Sequence, residues 1–210
     1  MRENNKVLET FMWVMGHCHP GLINHGMRVK RFVEVLLEEY AKLPDVKLSE
    51  HDRQVIAECS ILHDIGKNAL PDAVLGRKGM RSGAEMEVYR THPLRGEEMA
   101  ELMSLLLDKE YVTCLQDECR YHHERFDGKG YPDGLVGEEI PISAQIVGLA
   151  DVYDNLVSER LSKHAIPPET VYDSIINGEA GMFSPQLLAC FMRVQEQMAE
   201  ASKYKPVEMM

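Results

Sequence analysis

Residues 122–132 read HHERFDGKGYP, and this stretch does more than any other to define the fold. Two adjacent histidines, His122 and His123, close a helical pattern that begins near Tyr111. The loop that follows contains two glycines and a proline, which restrict its path to a tight, structured course. The pattern predicts a pair of imidazoles held at a helix end, beside a loop of defined shape.

A second ionisable pair lies where another helical pattern ends, in His63-Asp64-Ile65-Gly66-Lys67. Adjacent residues on a helix point about 100° apart, but at a helix end both side chains can turn towards one cavity. Iron, manganese and zinc accept an imidazole nitrogen beside a carboxylate oxygen, and one carboxylate can bridge two ions. A His-Asp dipeptide by itself is usually a helix cap or a surface pair, so its meaning depends on the rest of the chain.

Three more residues place polar groups where they need a partner. His92, followed by a proline, lies at the start of a helix, and Asp151 and Asp154 lie in an apolar helix. An ionised carboxylate there is costly unless it is paired or bound to a metal. Each feature also has a structural explanation, such as a salt bridge from Asp151 to an arginine. Together, on separate helix ends, they indicate a metal site.

The composition limits the classes of function. A chain of 210 residues with 44% hydrophobic content suits one globular domain. The net charge of −11 argues against a broad nucleic-acid-binding face. Five cysteines without a CxxC pair, and an N-terminus without a secretory pattern, favour a reduced cytoplasmic location. Apolar runs are too short for a membrane span.

Apolar periodicity predicts an all-α protein. The predicted helices cover residues 7–15, 22–43, 49–63, 91–106, 111–123, 142–157, 168–176 and 185–199. Ser49 is the predicted N-cap of the third helix, with Asp52 favouring the same helix start. Glycine- and proline-rich segments predict loops before Thr91 and over residues 124–141.

Together these motifs resemble the HD-GYP domain, the bacterial branch of the HD phosphohydrolase superfamily that degrades cyclic di-GMP. The similarity extends over about residues 22–191. The matching segments are 63–67, 92–96, 122–124, 127–132 and 151–154. The resemblance implies an HD-domain helical bundle with a structured GYP loop. The named positions of that loop are Asp127, Gly128, Gly130, Tyr131 and Pro132.

The resemblance also implies a binuclear metal centre of iron or manganese, with zinc or nickel as alternatives. The ligands of one ion would be His25, His63, Asp64 and Asp151. The ligands of the other would be Asp64, His92, His122 and His123, with Asp64 and a solvent oxygen as bridges. Asp64 and Lys67 are the implied catalytic residues. The implied substrate-binding residues are Lys67, Arg160 and Lys163.

Three positions depart from the family pattern. Gly21 stands where members with a third metal carry a glutamate, so two ions are expected rather than three. Leu161-Ser162 stands where Pro-Tyr usually precedes the lysine at position 163. Ser184 replaces the aspartate of the usual Phe-Asp-Pro, a change expected to matter only for helix capping.

The expected domain organisation is an N-terminal helix or connector over residues 1–20, the HD-GYP domain over 21–202 and a tail over 203–210. The first helix could pack on the bundle, form a homodimer or connect to an upstream sensory or receiver domain. A protein partner could bind the GYP loop. Binding of a nucleic acid polymer and membrane insertion are not expected.

The expected function is a metal-dependent phosphodiesterase that opens cyclic di-GMP to linear pGpG through a metal-bridging hydroxide, with further hydrolysis to GMP left open. One alternative is a related HD phosphohydrolase acting on another cyclic dinucleotide or nucleotide, which the altered residues 161–162 suggest. Another is a non-catalytic signalling module that uses the GYP loop as a contact surface.

Overall fold

The computed structural model describes residues 2–76, 80–158 and 166–204. Over these ranges the secondary structure consists of α-helices and short 3₁₀ turns. The described residues form no β-strand, and Asp127 and Val136 make an isolated bridge. The predicted all-α class is confirmed. None of the described helices combines the length and the apolar character that a membrane crossing requires.

The helices are α1 (Arg2–Cys18), α2 (Pro20–Tyr40), α3 (Glu50–Cys59), α4 (Asp72–Leu75), α5 (Gly83–Tyr89), α6 (His92–Leu102), α7 (Lys109–Tyr121), α8 (Ile142–Val157), α9 (Pro168–Ile176), α10 (Pro185–Arg193) and α11 (Gln195–Ala201). The 3₁₀ turns are Ser60–Leu62, Ile65–Ala69, Met103–Leu105 and Gly137–Glu139.

Two of these helices, α8 and α9, have the predicted bounds. The predicted end of the first helix near Gly16 is wrong, because α1 continues to Cys18 and only His19 separates it from α2. Pro20 begins the new helix, where its missing N–H removes no helical hydrogen bond. The predicted single helix over 185–199 is also wrong, since the chain leaves helical geometry at Val194.

Helix α2 lies between two hydrophobic clusters and contributes to both. The first cluster joins it to α8, α9, α10 and α11, where the Phe32 ring meets Tyr153 edge-on at a centroid distance of 4.9 Å. The second joins it to α1, α3, α6 and α7, with Ile23 from α2 and Leu8 from α1 buried there. Burial of these side chains removes apolar surface from water and holds the helix ends in place.

Helix α3 begins with the predicted cap, and it leads directly into the His63-Asp64 turn. The Ser49 hydroxyl accepts the Asp52 N–H at 3.1 Å, and the Asp52 carboxylate accepts the Ser49 N–H at 2.8 Å. Together the two bonds form a capping box.

We expect Ser49→Ala to lower the free energy of unfolding by about 1 kcal/mol, because it removes an acceptor for the N–H groups of the first helical turn. Urea unfolding followed by circular dichroism measures the change. Ser104→Ala, at an exposed serine inside the 3₁₀ turn Met103–Leu105 that caps no α-helix, is the control and should leave stability unchanged. Equal stability of Ser49→Ala and the parent would contradict the cap.

Candidate metal centre

The structure brings together the side chains of all seven predicted metal ligands, which come from separate helix ends and helix faces. They fall into two groups whose ligand atoms lie within 4.8 Å of one another. The first group is His25, His63, Asp64 and Asp151, and the second is Asp64, His92, His122 and His123. The predicted substrate-binding residues Arg160 and Lys163 lie outside the described residues.

The first group joins α2, α8 and the turn after α3. His25 Nε2 lies 2.9 Å from Asp151 Oδ1 and 3.6 Å from Asp64 Oδ2. His63 Nε2 lies 3.5 Å from Asp64 Oδ2 and 3.7 Å from Asp151 Oδ1. Two imidazole nitrogens and two carboxylate oxygens therefore face one small space.

The second group joins the start of α6 and the end of α7. Asp64 Oδ1 lies 3.3 Å from His92 Nε2 and 3.6 Å from His122 Nε2. The Nε2 atoms of His123 and His92 lie 3.1 Å apart. Asp64 therefore directs Oδ2 towards the first group and Oδ1 towards the second, which is the arrangement a bridging carboxylate needs.

Hydrogen bonds at Nδ1 orient four of the five histidines. His25 Nδ1 bonds Asp154 Oδ2 at 2.7 Å. The other three bond backbone carbonyls at 2.7–2.8 Å: His63 that of Ser60, His92 that of Tyr89 and His122 that of Glu118. Because these oxygens only accept, each ring donates from Nδ1, and in the neutral ring Nε2 keeps its lone pair. That lone pair points into the cavity.

Among the described residues, three buried atoms of the site find no hydrogen-bond partner: His63 Nε2, His122 Nε2 and Asp64 Oδ1. Leaving such an atom unpaired in the interior costs about 1–3 kcal/mol. Imidazole nitrogens and carboxylate oxygens are atom types that ligate transition metals, and these three belong to the two ligand groups. The donor set of imidazole nitrogens and carboxylate oxygens therefore fits divalent transition-metal ions.

Charge coupling in the site favours the protonation states that bind metal. Burial alone would raise the pKa of Asp64, but Lys67 and His63 hold it well below its usual range. Hydrogen bonds from His25 and His63 likewise outweigh burial and keep the pKa of Asp151 well below its usual range. Burial lowers the pKa of His122 to about 4.

The pKa values of the other histidines shift in different directions, because their surroundings differ. Burial lowers the pKa of His92, and burial with His122 nearby lowers that of His123 well below its usual value. Burial alone would lower the pKa of His25, but hydrogen bonds to Asp151 and Asp154 outweigh burial and raise that pKa. At neutral pH the second group therefore contains neutral imidazoles beside an ionised Asp64, which is the form that ligates cations.

Lys67 follows Asp64 by one 3₁₀ turn and is 7% exposed. Its ammonium group forms an ion pair with Asp64 Oδ2. Burial would lower the pKa of Lys67, but the Asp64 carboxylate raises it above its ordinary value. A permanently charged ammonium group is thus held at the wall of the cavity.

The GYP loop folds back over the end of α7 because Glu124 holds it. The buried Glu124 carboxylate accepts hydrogen bonds from the backbone N–H groups of Asp133 at 2.7 Å and Gly134 at 3.0 Å.

Glycines allow the close path of the GYP loop. Gly130 passes so close to the end of α7 that an added Cβ would lie 2.3 Å from the Glu124 Cα. Gly128 has a φ of +76°, which favours glycine. The loop then reaches Tyr131 and Pro132, and Tyr131 stacks on His123 at 4.7 Å.

Three supporting residues were not among the predicted site residues: Arg28, Glu124 and Asp154. Arg28 binds Asp154 through Nε at 2.6 Å and Nη2 at 2.9 Å, while Asp154 holds His25. The sequence contained one signal, since Asp154 lies in an apolar helix and Arg28 comes three residues after His25 on α2. Their contact spans 126 positions of the chain, so only the tertiary fold reveals it.

Comparison with known proteins decides the family. A family model described as HD domain matches residues 20–187. The chain belongs to the HD domain family. Solved structures with a similar fold include "Bd1817, a HDG"Y"P protein from Bdellovibrio bacteriovorus", with 18% identity and a TM-score of 0.61 over 83% of this chain and 52% of that chain. A Vibrio cholerae cyclic GMP-AMP specific phosphodiesterase, V-cGAP3, has 16% identity and a TM-score of 0.61 over 96% of this chain and 51% of that one. These two show a shared fold.

Curated relatives of this HD domain are more similar in sequence. A cyclic di-GMP phosphodiesterase of Vibrio cholerae is 32% identical over 86% of this chain and 38% of its own length. The response regulator RpfG of Xanthomonas campestris, a cyclic di-GMP phosphodiesterase, is 36% identical over 73% of this chain and 39% of its own length. A 3'3'-cGAMP-specific phosphodiesterase of Vibrio cholerae is 30% identical over 78% and 30%. The chain spans about two fifths of these relatives or less. The predicted family is confirmed.

Proposed function

We propose that this HD domain is a metal-dependent phosphodiesterase that opens cyclic di-GMP to linear pGpG. The observation that carries the proposal is the placement of Asp64 between two histidine groups. Its Oδ2 lies 3.5 Å from His63 Nε2, and its Oδ1 lies 3.3 Å from His92 Nε2. The names of the relatives, which include several cyclic di-GMP phosphodiesterases, support the substrate.

Two divalent transition-metal ions would occupy the site, iron or manganese first, with zinc or nickel as alternatives. Five imidazoles and two carboxylates form the donor set, and such mixed nitrogen and oxygen sites suit these metals. When bound, the pair of ions lowers the pKa of a coordinated water and neutralises charge on the phosphoryl oxygens.

The side chains of the chain itself supply orientation and charge. The bonds at Nδ1 direct Nε2 of four histidines into the cavity, so the donor set is organised before any ion arrives. Lys67 presents a buried ammonium group beside Asp64, where it would attract an oxygen of the scissile phosphate. Arg160 and Lys163 stay predicted phosphate contacts.

Several expectations stay predictions. They are the division at residues 20 and 202, a protein partner at the GYP loop, an upstream sensory or receiver domain, a homodimer and a cytoplasmic location. Further hydrolysis of pGpG to GMP also stays a prediction.

Metal analysis together with a turnover assay tests the proposal. Protein purified without oxygen should contain about two transition-metal ions per chain, as the two ligand groups require. Iron- or manganese-loaded protein should convert cyclic di-GMP to pGpG, measured by liquid chromatography. Failure to form product with iron, manganese, zinc and nickel in turn would refute the activity.

We expect Asp154→Asn to weaken metal binding by about 10- to 100-fold, the usual effect of removing a partner that orients a ligating histidine. The asparagine would lose the negative charge that holds His25 and Arg28. Metal affinity is measured by competition with a chelating dye. Asp173→Asn, at an exposed aspartate of α9, should bind metal like the parent. Unchanged affinity in Asp154→Asn would show that Asp154 does not position His25.

A further inference from the structure

Two tyrosines border the second ligand group. The Tyr89 ring lies 5.0 Å from that of His92, and the Tyr131 ring stacks on His123 at 4.7 Å with an interplanar angle of 23°. Both phenols are half-buried, so each keeps part of its surface open to solvent. They come from different segments, since Tyr89 ends α5 and Tyr131 belongs to the GYP loop.

Each of these rings carries an arginine on its face. The Arg81 Cζ lies 4.0 Å from the Tyr89 ring centroid, and the Arg90 Cζ lies 5.1 Å from that of Tyr131. Both distances are within the range of a cation–π contact. The Nε of Arg81 also donates to the Val74 carbonyl at 3.2 Å, which anchors the side chain.

Neither arginine forms an ion pair with a carboxylate in the part of the chain that the structure describes. Other arginines of the domain do: Arg95 pairs with Glu98 at 2.9 Å, and Arg120 pairs with Asp133 at 2.9 Å. Two guanidinium groups that have no ion pair among the described residues therefore lie beside the site. Planar guanidinium groups of this kind recognise anionic and acceptor-rich ligands.

The chemistry of these pairs points to one kind of nucleobase. A ring occupies only the face of a guanidinium group, so N–H groups at its edge stay available. In Arg81 these are the N–H groups of the two Nη atoms, because Nε donates to the Val74 carbonyl. That edge matches the O6 and N7 acceptors of guanine, whereas adenine presents an amino donor in place of O6. The faces of the two tyrosine rings hold these guanidinium groups in place. A lysine ammonium lacks the planar pair of N–H donors that stacks on a ring, so its contact with guanine is less well oriented.

We propose that the pairs Arg81–Tyr89 and Arg90–Tyr131 are guanine-recognition elements that select the substrate. The inference rests on the proposed phosphodiesterase function and assigns its base specificity. With two such pairs beside one site, the preference follows the number of guanines. Cyclic di-GMP is the favoured substrate, 3'3'-cGAMP comes next and cyclic di-AMP is the poorest.

The test compares kcat/KM for cyclic di-GMP and cyclic di-AMP in the metal-loaded full chain. Arg81→Lys and Arg90→Lys keep the charge but lose the two-pronged edge, so each should lower the ratio of the two values by about tenfold. Metal content should stay that of the parent. Arg95→Lys is the matched control, an exposed arginine paired with Glu98, and should keep the parent ratio.

Binding of mononucleotides separates this inference from the proposed function. Calorimetry with GMP and AMP should show tighter binding of GMP, and the preference should shrink in Arg81→Lys and Arg90→Lys. Turnover of cyclic di-GMP with an unchanged selectivity ratio in both variants would overturn the inference and leave the proposed function standing. If no cyclic dinucleotide is hydrolysed, the proposed function fails, and equal affinity for GMP and AMP would then overturn the inference as well.

Discussion

Asp64→Asn should lower kcat/KM for cyclic di-GMP by about 1,000-fold or more. The asparagine has one neutral oxygen where the parent has two charged ones, so it can serve only one of the two histidine groups. A bound metal contributes several kcal/mol of charge stabilisation in the transition state, and roughly 4 kcal/mol corresponds to this loss of rate. The bound metal should fall from about two ions per chain to one or fewer. Steady-state kinetics and elemental analysis measure the two effects.

Asp45→Asn provides the matched control for this change, because Asp45 is an exposed aspartate between α2 and α3. It should keep the parent activity and metal content. Circular dichroism should show that both variants remain helical. If Asp64→Asn retained activity within tenfold of the parent, the bridging role of Asp64 would be wrong.

Gly66→Ala should destabilise the fold by about 3 kcal/mol or more and remove metal binding with it. An added Cβ would lie 2.0 Å from the His92 carbonyl oxygen and 2.4 Å from the Gly96 nitrogen. Both are backbone atoms of the first turns of α6, which cannot move aside without shifting the helix that carries His92. Overpacking of this kind costs about 1–3 kcal/mol, occasionally more. Urea unfolding measures the loss.

Gly21→Ala makes the same chemical change without the collision. Gly21 lies in α2, and an added Cβ would meet no atom within 4 Å. Because alanine favours a helix over glycine, the variant should be as stable as the parent or gain up to about 1 kcal/mol. If the Gly66→Ala protein were as stable as the Gly21→Ala protein, the close approach of the 3₁₀ turn Ile65–Ala69 to α6 would be wrong.

Helices with local signals could be predicted from the sequence. The bounds of α8 and α9 follow prolines and end where the apolar pattern ends. In contrast, the glycine- and proline-rich pattern before Thr91 predicts a loop where α4 and α5 form. Helix α5 buries none of its residues, so it has no apolar periodicity to detect. Its one signal was the capping box of Ser82 and Glu85, where each backbone N–H is accepted by the other side chain.

The site was predictable only in part from the residues themselves. The adjacent pairs at 63–64 and 122–123 stood out locally, but His25 lies in a helix without any feature that marks a ligand. Its inclusion, and the division into two groups, came from the family resemblance. The contacts of Arg81 with Tyr89 and of Arg28 with Asp154 depend on how helices pack, which periodicity does not encode.

The ligands of the first group are far apart in the sequence, from His25 to Asp151, so the ribosome adds them at different times. A nascent chain exposes His25, His63 and Asp64 well before α8 has left the ribosome. Until α8 packs against α2, the carboxylate of Asp151 is missing and the first group is incomplete. Under the proposed metal-dependent function, the first group can therefore bind an ion with all four of its ligands only after α8 has packed against α2.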